Sequence, residues 1–311
     1  MASSDNSAAA DSLLKLSAAG GRIRGVVALT THTVEEARQR HQTSVVATAA
    51  LGKALTGGLL LSAALMKHDG RLTIRVVGGG PLGGIIVDAG ADGSVRGYVA
   101  QHAVDIPLGE HGKLDVGSAV GREGFIFVTH DAGNGHPYTG VVELVSGELG
   151  EDFTHYLAVS EQIPAAISLG IFVEPDGRVS SAGGLLFQLL PDAGDEIAWR
   201  LEQNILALPS FTQLAHHYQT TRAIAEAALV GFQSEILAEE SLRFYCHCSV
   251  KRALNAILTL GKAEIRAMIV EEGKAEVRCH FCNEIYHFAE PELLALLEAD
   301  QGDSGEQLFD F

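Results

Sequence analysis

The sequence predicts an α+β protein in three parts: a layered N-terminal domain of mostly antiparallel strands packed on helices, a helical middle segment and a small C-terminal domain. Three observations lead to this organisation. Short strand-like runs separated by glycine turns fill residues 22–191, helical periodicity replaces them as far as residue 243, and all four cysteines lie beyond that point. The predicted boundaries are therefore 1–191, 192–243 and 244–311.

The N-terminal domain contains the predicted strands and two predicted helical regions. Thr33 and Glu36 have the spacing of a capping box that opens a helix, and a second helix is predicted over 151–160. Glycine and Asp-Gly turns bound the strands. The predicted strands are 72–77, 85–88, 95–100, 125–129, 139–144, 166–174 and 179–190.

Residues 43–66 resemble a membrane span, because Lys53 is their single charged residue. A lysine in the middle of a span costs about 2.5–3.5 kcal/mol on insertion scales, and three glycines dilute the hydrophobicity. We therefore interpret the segment as a helix buried between layers of a folded domain and expect no association with a membrane.

The middle and C-terminal parts are mainly helical. In the middle we predict helices over 196–206, 211–218, 223–230 and 235–244. Farther on, Ser249 caps a helix that Gly261 ends, a short helix follows over 264–270, and Pro291 opens a last helix. Two strands, 275–279 and 284–288, bracket a CHFC turn as a hairpin. The tail, 300–311, is predicted to be disordered.

Charge and motifs exclude several classes of function. A net charge of −17 argues against a nucleic-acid partner, since affinity for phosphates comes from Lys and Arg. The N-terminus lacks the pattern of a targeting peptide, and clustered cysteines fit a reducing cytoplasm. The glycine-rich run 78–84 lacks the ending of a phosphate loop and is predicted to join two strands as a hairpin. No serine-hydrolase elbow is present.

The cysteines have the spacing of a zinc site. Cys246-x-Cys248 and Cys279-x-x-Cys282 are separated by thirty residues. A C-x-x-C turn directs two thiolates at one centre, and C-x-C in an extended strand places both side chains on one face. The four cysteines are therefore predicted to bind one Zn²⁺, which stabilises a domain too small to be stable on its core alone. His130 and His136, which flank a glycine-rich loop, are interpreted as exposed loop histidines.

The site is consistent with more than one role. Thiolates are the form that peroxide attacks, and loss of the metal would unfold the domain, so the site could act as a redox switch. The residues alone favour this no more than a purely structural zinc ribbon. A zinc enzyme is a third possibility, but it requires an open coordination position that four thiolates do not leave.

Several short motifs extend over the chain from about residue 22 to residue 297. These are Gly80-Pro81-Leu82-Gly83, Val95-Arg96-Gly97-Tyr98, Ser160-Glu161-Gln162, Ala182-Gly183-Gly184 with Gln188-Leu189-Leu190-Pro191, and the four cysteines with Phe281, Tyr286 and Phe288. In their order and spacing, these motifs resemble those of the heat shock protein 33 family.

The resemblance implies a redox-regulated holdase chaperone that needs no ATP and is not an enzyme. It implies that all four cysteines hold zinc when reduced. Oxidation would form the disulfides Cys246–Cys248 and Cys279–Cys282, release the zinc and loosen the helical segment. The active form would be a cytoplasmic homodimer that binds unfolded client proteins.

Overall fold

The structure is a computed structural model that describes residues 10–67, 69–109 and 112–299. Its helices are α1 (Thr31–His41), α2 (Val45–Leu65), α3 (Val116–Val120), α4 (Gly150–Val159), α5 (Gly194–Ala207), α6 (Phe211–Tyr218), α7 (Thr221–Ala228), α8 (Val250–Thr259), α9 (Lys262–Glu271) and α10 (Glu290–Ala299). Its strands are β1 (Ser12–Ala18), β2 (Ile23–Leu29), β3 (Arg71–Val77), β4 (Ile85–Gly90), β5 (Ser94–Val99), β6 (Phe125–Asp131), β7 (Tyr138–Glu143), β8 (Ala165–Val173), β9 (Val179–Leu189), β10 (Ser234–Ser241), β11 (Arg243–Phe244), β12 (Lys274–Arg278) and β13 (Ile285–Ala289). The chain divides into two compact units, Met1–Tyr245 and Cys246–Phe311.

Two sheets form the framework of the first unit. One has the strand order β10-β1-β2-β9-β8, and the other has the order β11-β5-β4-β3-β6-β7. Neighbouring strands are antiparallel, apart from the short parallel pair β11 and β5. The predicted α+β class with mostly antiparallel strands is confirmed. The glycine-rich run 78–84 joins β3 to β4 as a hairpin, as expected.

The apolar helix α2 is the central element of this unit. It contacts strands of the first sheet and of the second, and 89% of its most apolar window is buried. A buried helix needs no polar face, which explains its near-uniform hydrophobicity. Its glycines permit close packing: a Cβ on Gly57 would collide with the ring of Phe153. Lys53 pairs with the Glu148 carboxylate. The interpretation as a core helix is confirmed.

The predicted helices of the middle segment correspond to α5, α6 and α7. They pack against the first sheet, where Phe211 of α6 and Ile224 of α7 share one apolar cluster with Ile23 and Phe187. Each of these four side chains is at most 1% exposed. The segment is therefore part of the first unit in this structure, and its helices are amphipathic because one face covers the sheet.

The fourth predicted helix of the segment, 235–244, is wrong. Residues 234–241 form β10, which pairs antiparallel with β1, and Lys15 donates to Glu240 at 2.9 Å. The hydrogen bonds to β1 override the local helix propensity of these residues. A sequence window cannot reveal this pairing, because β1 is more than 200 residues away along the chain. Neither β1 nor β2 was among the predicted strands.

The predicted capping box at Thr33 and Glu36 is also wrong. Helix α1 begins at Thr31, so Thr33 lies inside its first turn. The orphan amides are satisfied instead by Asp11, whose carboxylate accepts from the backbone N–H of His32 at 3.0 Å and of Thr33 at 2.6 Å. A carboxylate from a distant residue thus caps this helix.

The second unit comprises α8, α9, the β12–β13 hairpin and α10. Ser249 caps α8 as predicted, and its side chain accepts from the backbone N–H of Arg252 at 3.2 Å. The helices and hairpin agree with those predicted from the sequence. The unit's buried apolar cluster is small, consisting of Ala253, Ile257, Ile265, Ala275, Phe288 and Leu293. The predicted disordered tail, 300–311, lies outside the described residues.

Candidate metal centre

The first two cysteines lie between a strand and a helix. Strand β11 ends at Phe244, and α8 begins at Val250 after its N-cap, Ser249. Cys246 and Cys248 therefore lie in an irregular connection. The extended strand that the C-x-C spacing had suggested is not formed there. The Ser249 cap fixes the start of α8 immediately after Cys248.

The second two cysteines lie in the turn of the β12–β13 hairpin. The Cys279 N–H donates to the Glu284 carbonyl at 2.9 Å, and the Asn283 N–H donates to the Cys279 carbonyl at 2.8 Å. Asn283 has φ of 61°, a left-handed conformation that asparagine tolerates better than most residues. These bonds close a tight turn that points both sulfurs to one side, as predicted.

The four sulfurs converge on one point. All four lie within 4.8 Å of one another. The Sγ atoms of Cys246 and Cys279 are 3.7 Å apart, and those of Cys248 and Cys282 are 3.3 Å apart. A disulfide requires about 2.0 Å, so these are free cysteines.

Hydrogen bonds converge on the same sulfurs. The backbone N–H groups of Phe281 and Cys282 donate to the Cys279 sulfur, and the N–H of Glu284 donates to the Cys282 sulfur. The Tyr286 hydroxyl donates to the Cys248 sulfur at 3.1 Å. Donors aimed at sulfur favour the thiolate over the thiol.

Burial opposes these donors. It raises the pKa of the Cys279 thiol and that of the Cys282 thiol above the ordinary value of 9.0. Without a nearby cation, these two sulfurs are therefore protonated at neutral pH. A cation held between these two sulfurs would offset the cost of their burial and let both become thiolates.

The donor set fits a tetrahedral thiolate metal. Zinc binds sulfur at about 2.3 Å, which places the sulfurs of a tetrahedron about 3.8 Å apart. The 3.7 Å and 3.3 Å separations lie slightly below that value, and no other separation exceeds 4.8 Å. Within the described residues, the group of potential ligands contains sulfur alone. The cluster can hold one metal ion.

The interpretation of His130 as an exposed loop histidine is wrong. His130 lies on β6 and is buried, whereas His136 is exposed. His130 Nε2 is 2.8 Å from the Tyr156 hydroxyl, which donates to Glu161 at 2.5 Å. Burial lowers the pKa of His130 and raises that of Tyr156. The Ser-Glu-Gln motif offered the only sequence signal for this cluster.

The fold and the centre together define a class: an α+β protein whose small C-terminal unit carries four converging thiols. A family model described as Hsp33 protein matches residues 11–289. Since that match spans most of the chain, the protein belongs to the Hsp33 family.

Individual relatives agree with this assignment. The chain is 48% identical over 294 residues to the 33 kDa chaperonin of Gloeobacter violaceus, covering 93% of this chain and 96% of the relative. It is 46% identical over 302 residues to the 33 kDa chaperonin of Synechocystis, covering 96% and 100%. The crystal structure of the 33 kDa chaperonin from Thermotoga maritima matches with a TM-score of 0.87 and 36% identity, covering 95% of this chain and all of that one.

Proposed function

We propose that the protein is a chaperone that binds unfolded proteins without ATP and is switched on by oxidation. Cys246, Cys248, Cys279 and Cys282 hold one Zn²⁺ in the reduced, inactive form. The observation that carries the proposal is the convergence of four free thiols within 4.8 Å in a unit with a small apolar core. The names of the relatives support the chaperone activity.

The bound ion supplies the positive charge that keeps all four sulfurs as thiolates at neutral pH. The chain's own groups then determine how the sulfurs react. The backbone N–H groups of the hairpin turn hold Cys279 and Cys282 in place, and Ser249 holds the start of α8 beside Cys248. Thiolates attack peroxides, whereas thiols do not.

The oxidation balances with hydrogen peroxide as the oxidant. One thiolate attacks a peroxide oxygen, the O–O bond breaks, and a sulfenic acid and a hydroxide ion form. The neighbouring thiolate then displaces a second hydroxide ion from the sulfenic sulfur and completes a disulfide. The proposed pairs are Cys246–Cys248 and Cys279–Cys282. Disulfide sulfurs carry no charge for a metal, so the ion is released.

Loss of the metal removes the cross-link that stabilises the second unit. Small domains of this size are marginal without one, so the unit unfolds. We propose that residues 192–243 then loosen as a segment, that client proteins bind to the exposed apolar surface, and that the active form is a cytoplasmic homodimer. Trp199, the only tryptophan, lies 63% exposed on α5 and reports on this segment.

The test compares reduced protein with protein oxidised by peroxide. Aggregation of a heat-labile client is followed by light scattering, while released zinc and Trp199 fluorescence are recorded on the same samples. The oxidised, zinc-free protein is expected to suppress aggregation at stoichiometric amounts, whereas the reduced protein is not. Equal suppression by the two forms contradicts the switch.

Single substitutions test whether the site is closed. Replacing each cysteine in turn by serine is expected to abolish stoichiometric zinc binding in all four variants, since each thiolate is one of four ligands. A variant that keeps its zinc identifies a cysteine outside the coordination sphere. That result would favour an open, enzyme-like site.

A further inference from the structure

One of the four sulfurs is hydrogen-bonded by a side chain from the other half of the site. The Tyr286 hydroxyl donates to the Cys248 sulfur at 3.1 Å. Tyr286 lies on β13 opposite Val277, and its ring packs against the apolar cluster of the second unit. The hairpin therefore holds the hydroxyl against a cysteine that precedes it by 38 residues.

The donors to the hairpin cysteines are different in kind. Backbone N–H groups of the turn donate hydrogen bonds to the sulfurs of Cys279 and Cys282. These hydrogen bonds persist as long as the turn is formed. The donor to Cys248 is a phenol, which the chain can lose without a change in backbone geometry. Its contribution can therefore be separated from the folding of the site.

A hydrogen bond to a thiolate draws on the sulfur lone pair that attacks an electrophile. Charge-assisted bonds of this kind are stronger than neutral ones and are weakened as negative charge leaves the sulfur in the transition state. We propose that Tyr286 is a positioning residue that slows the oxidation of Cys248. It thereby holds back the step in which the Cys246–Cys248 half of the site reacts. The inference rests on the proposed redox function.

The reaction itself is unchanged by the hydroxyl. The Cys248 thiolate attacks a peroxide oxygen, hydroxide leaves, and the Cys246 thiolate displaces a second hydroxide to form the disulfide. With the hydroxyl present, the first of these steps must also weaken an O–H···S bond. Without it, that step no longer has to weaken this bond.

Tyr286→Phe is the informative variant, because it removes one oxygen and retains the packed ring. Tyr218→Phe is the matched control: that ring lies in the first unit, edge-on to His217. Zinc content is measured first in all three proteins. Zinc-bound, reduced protein is then treated with hydrogen peroxide, and residual thiols are alkylated and quantified by mass spectrometry.

Trypsin separates the two halves of the site. Cleavage after Arg243, Lys251 and Arg278 places Cys246 and Cys248 in one peptide and the hairpin cysteines in another. Fragmentation of the first peptide resolves the two cysteines. The rate at which a chelator removes zinc in the absence of oxidant is measured as well. A faster rate in a variant would show that its site binds the metal less firmly.

We expect Tyr286→Phe to hold one zinc and to lose it to the chelator at the wild-type rate. Its Cys248 should oxidise about three- to tenfold faster, because part of the free energy of one charge-assisted hydrogen bond is lost. Hairpin oxidation should change less than twofold, and Tyr218→Phe should match wild type. Unchanged or slower Cys248 oxidation, equal acceleration of both peptides, or reduced zinc content in Tyr286→Phe overturns this inference alone. A reduced wild-type protein without zinc overturns the proposed function together with it.

Discussion

Truncation of Phe288 is expected to weaken zinc binding strongly, because the second unit is proposed to fold only with bound metal. Phe288 lies on β13 and is 2% exposed within a cluster of six buried apolar residues. Phe288→Ala removes the largest of these side chains. The remaining core then consists of small and aliphatic residues around a cavity.

The magnitude follows from the size of the core. Replacing a buried phenylalanine by alanine costs about 3–5 kcal/mol. A unit this small rarely gains more than about 3–5 kcal/mol from its core, so the metal-free variant should be unfolded. A structural zinc contributes about 10–16 kcal/mol in small fingers, so the zinc-bound variant should remain folded. Since the metal-free wild-type unit is also proposed to be unfolded, the lost energy appears almost entirely as lost zinc affinity.

The assay is a zinc titration against a competing chelator, with hydrogen exchange of residues 246–299 measured with and without metal. Each 1.4 kcal/mol is a factor of about ten, so zinc affinity should fall by roughly two to three and a half orders of magnitude. Val270→Ala in the same unit is the control, since that side chain is 84% exposed. It should bind zinc as wild type does.

Unchanged zinc affinity in Phe288→Ala, together with persistent exchange protection in its metal-free form, would refute this reasoning. The second unit would then be folded before the metal arrives. The thiols would be a preformed site, and metal loss could not act as a folding switch.

Two further predictions concern the first unit. Arg38 holds the pKa of Glu35 at about 2, below its ordinary value of 4.5. The stability that Glu35 contributes is therefore present above pH 4.5 and is lost as pH falls toward 2, so Glu35→Gln should cost about 1 kcal/mol in urea unfolding at pH 7 and clearly less at pH 3. An equal cost at both pH values would show that the charge is not responsible. Tyr156→Phe should cost about 1–3 kcal/mol, because the buried His130 and the partly buried Glu161 each lose a hydrogen bond. Tyr138→Phe, whose ring is exposed, should cost under about 0.5 kcal/mol, and equal unfolding midpoints for the two variants would contradict this.

The two halves of the cysteine cluster were predictable because the sequence signals that position them are local. Each cysteine pair lies within four residues, and Ser249 and the CHFC turn carry their own capping and turn signals. What the spacing did not predict is the environment of the sulfurs. The Tyr286 hydroxyl reaches Cys248 across 38 residues, and only the folded hairpin places it there.

The errors in the fold come from long-range contacts. Residues 234–241 have a composition compatible with a helix, and their pairing with β1 decides the matter. Asp11 caps α1 from 20 residues away from the first helical position, outside the window of a capping box. The residues that follow His130 include glycine, asparagine and aspartate, which are typical of a loop. His130 nevertheless lies within β6, with its side chain buried against Tyr156.

We propose that oxidation of four metal-binding thiols controls the fold of the second unit. The most direct measurement follows zinc release, disulfide content and hydrogen exchange on one sample during oxidation by peroxide. We expect one zinc ion to be released as two disulfides form. Exchange protection should be lost across 246–299 and retained in the β3, β4 and β6 core. Protection of 246–299 that survives the loss of zinc would contradict it.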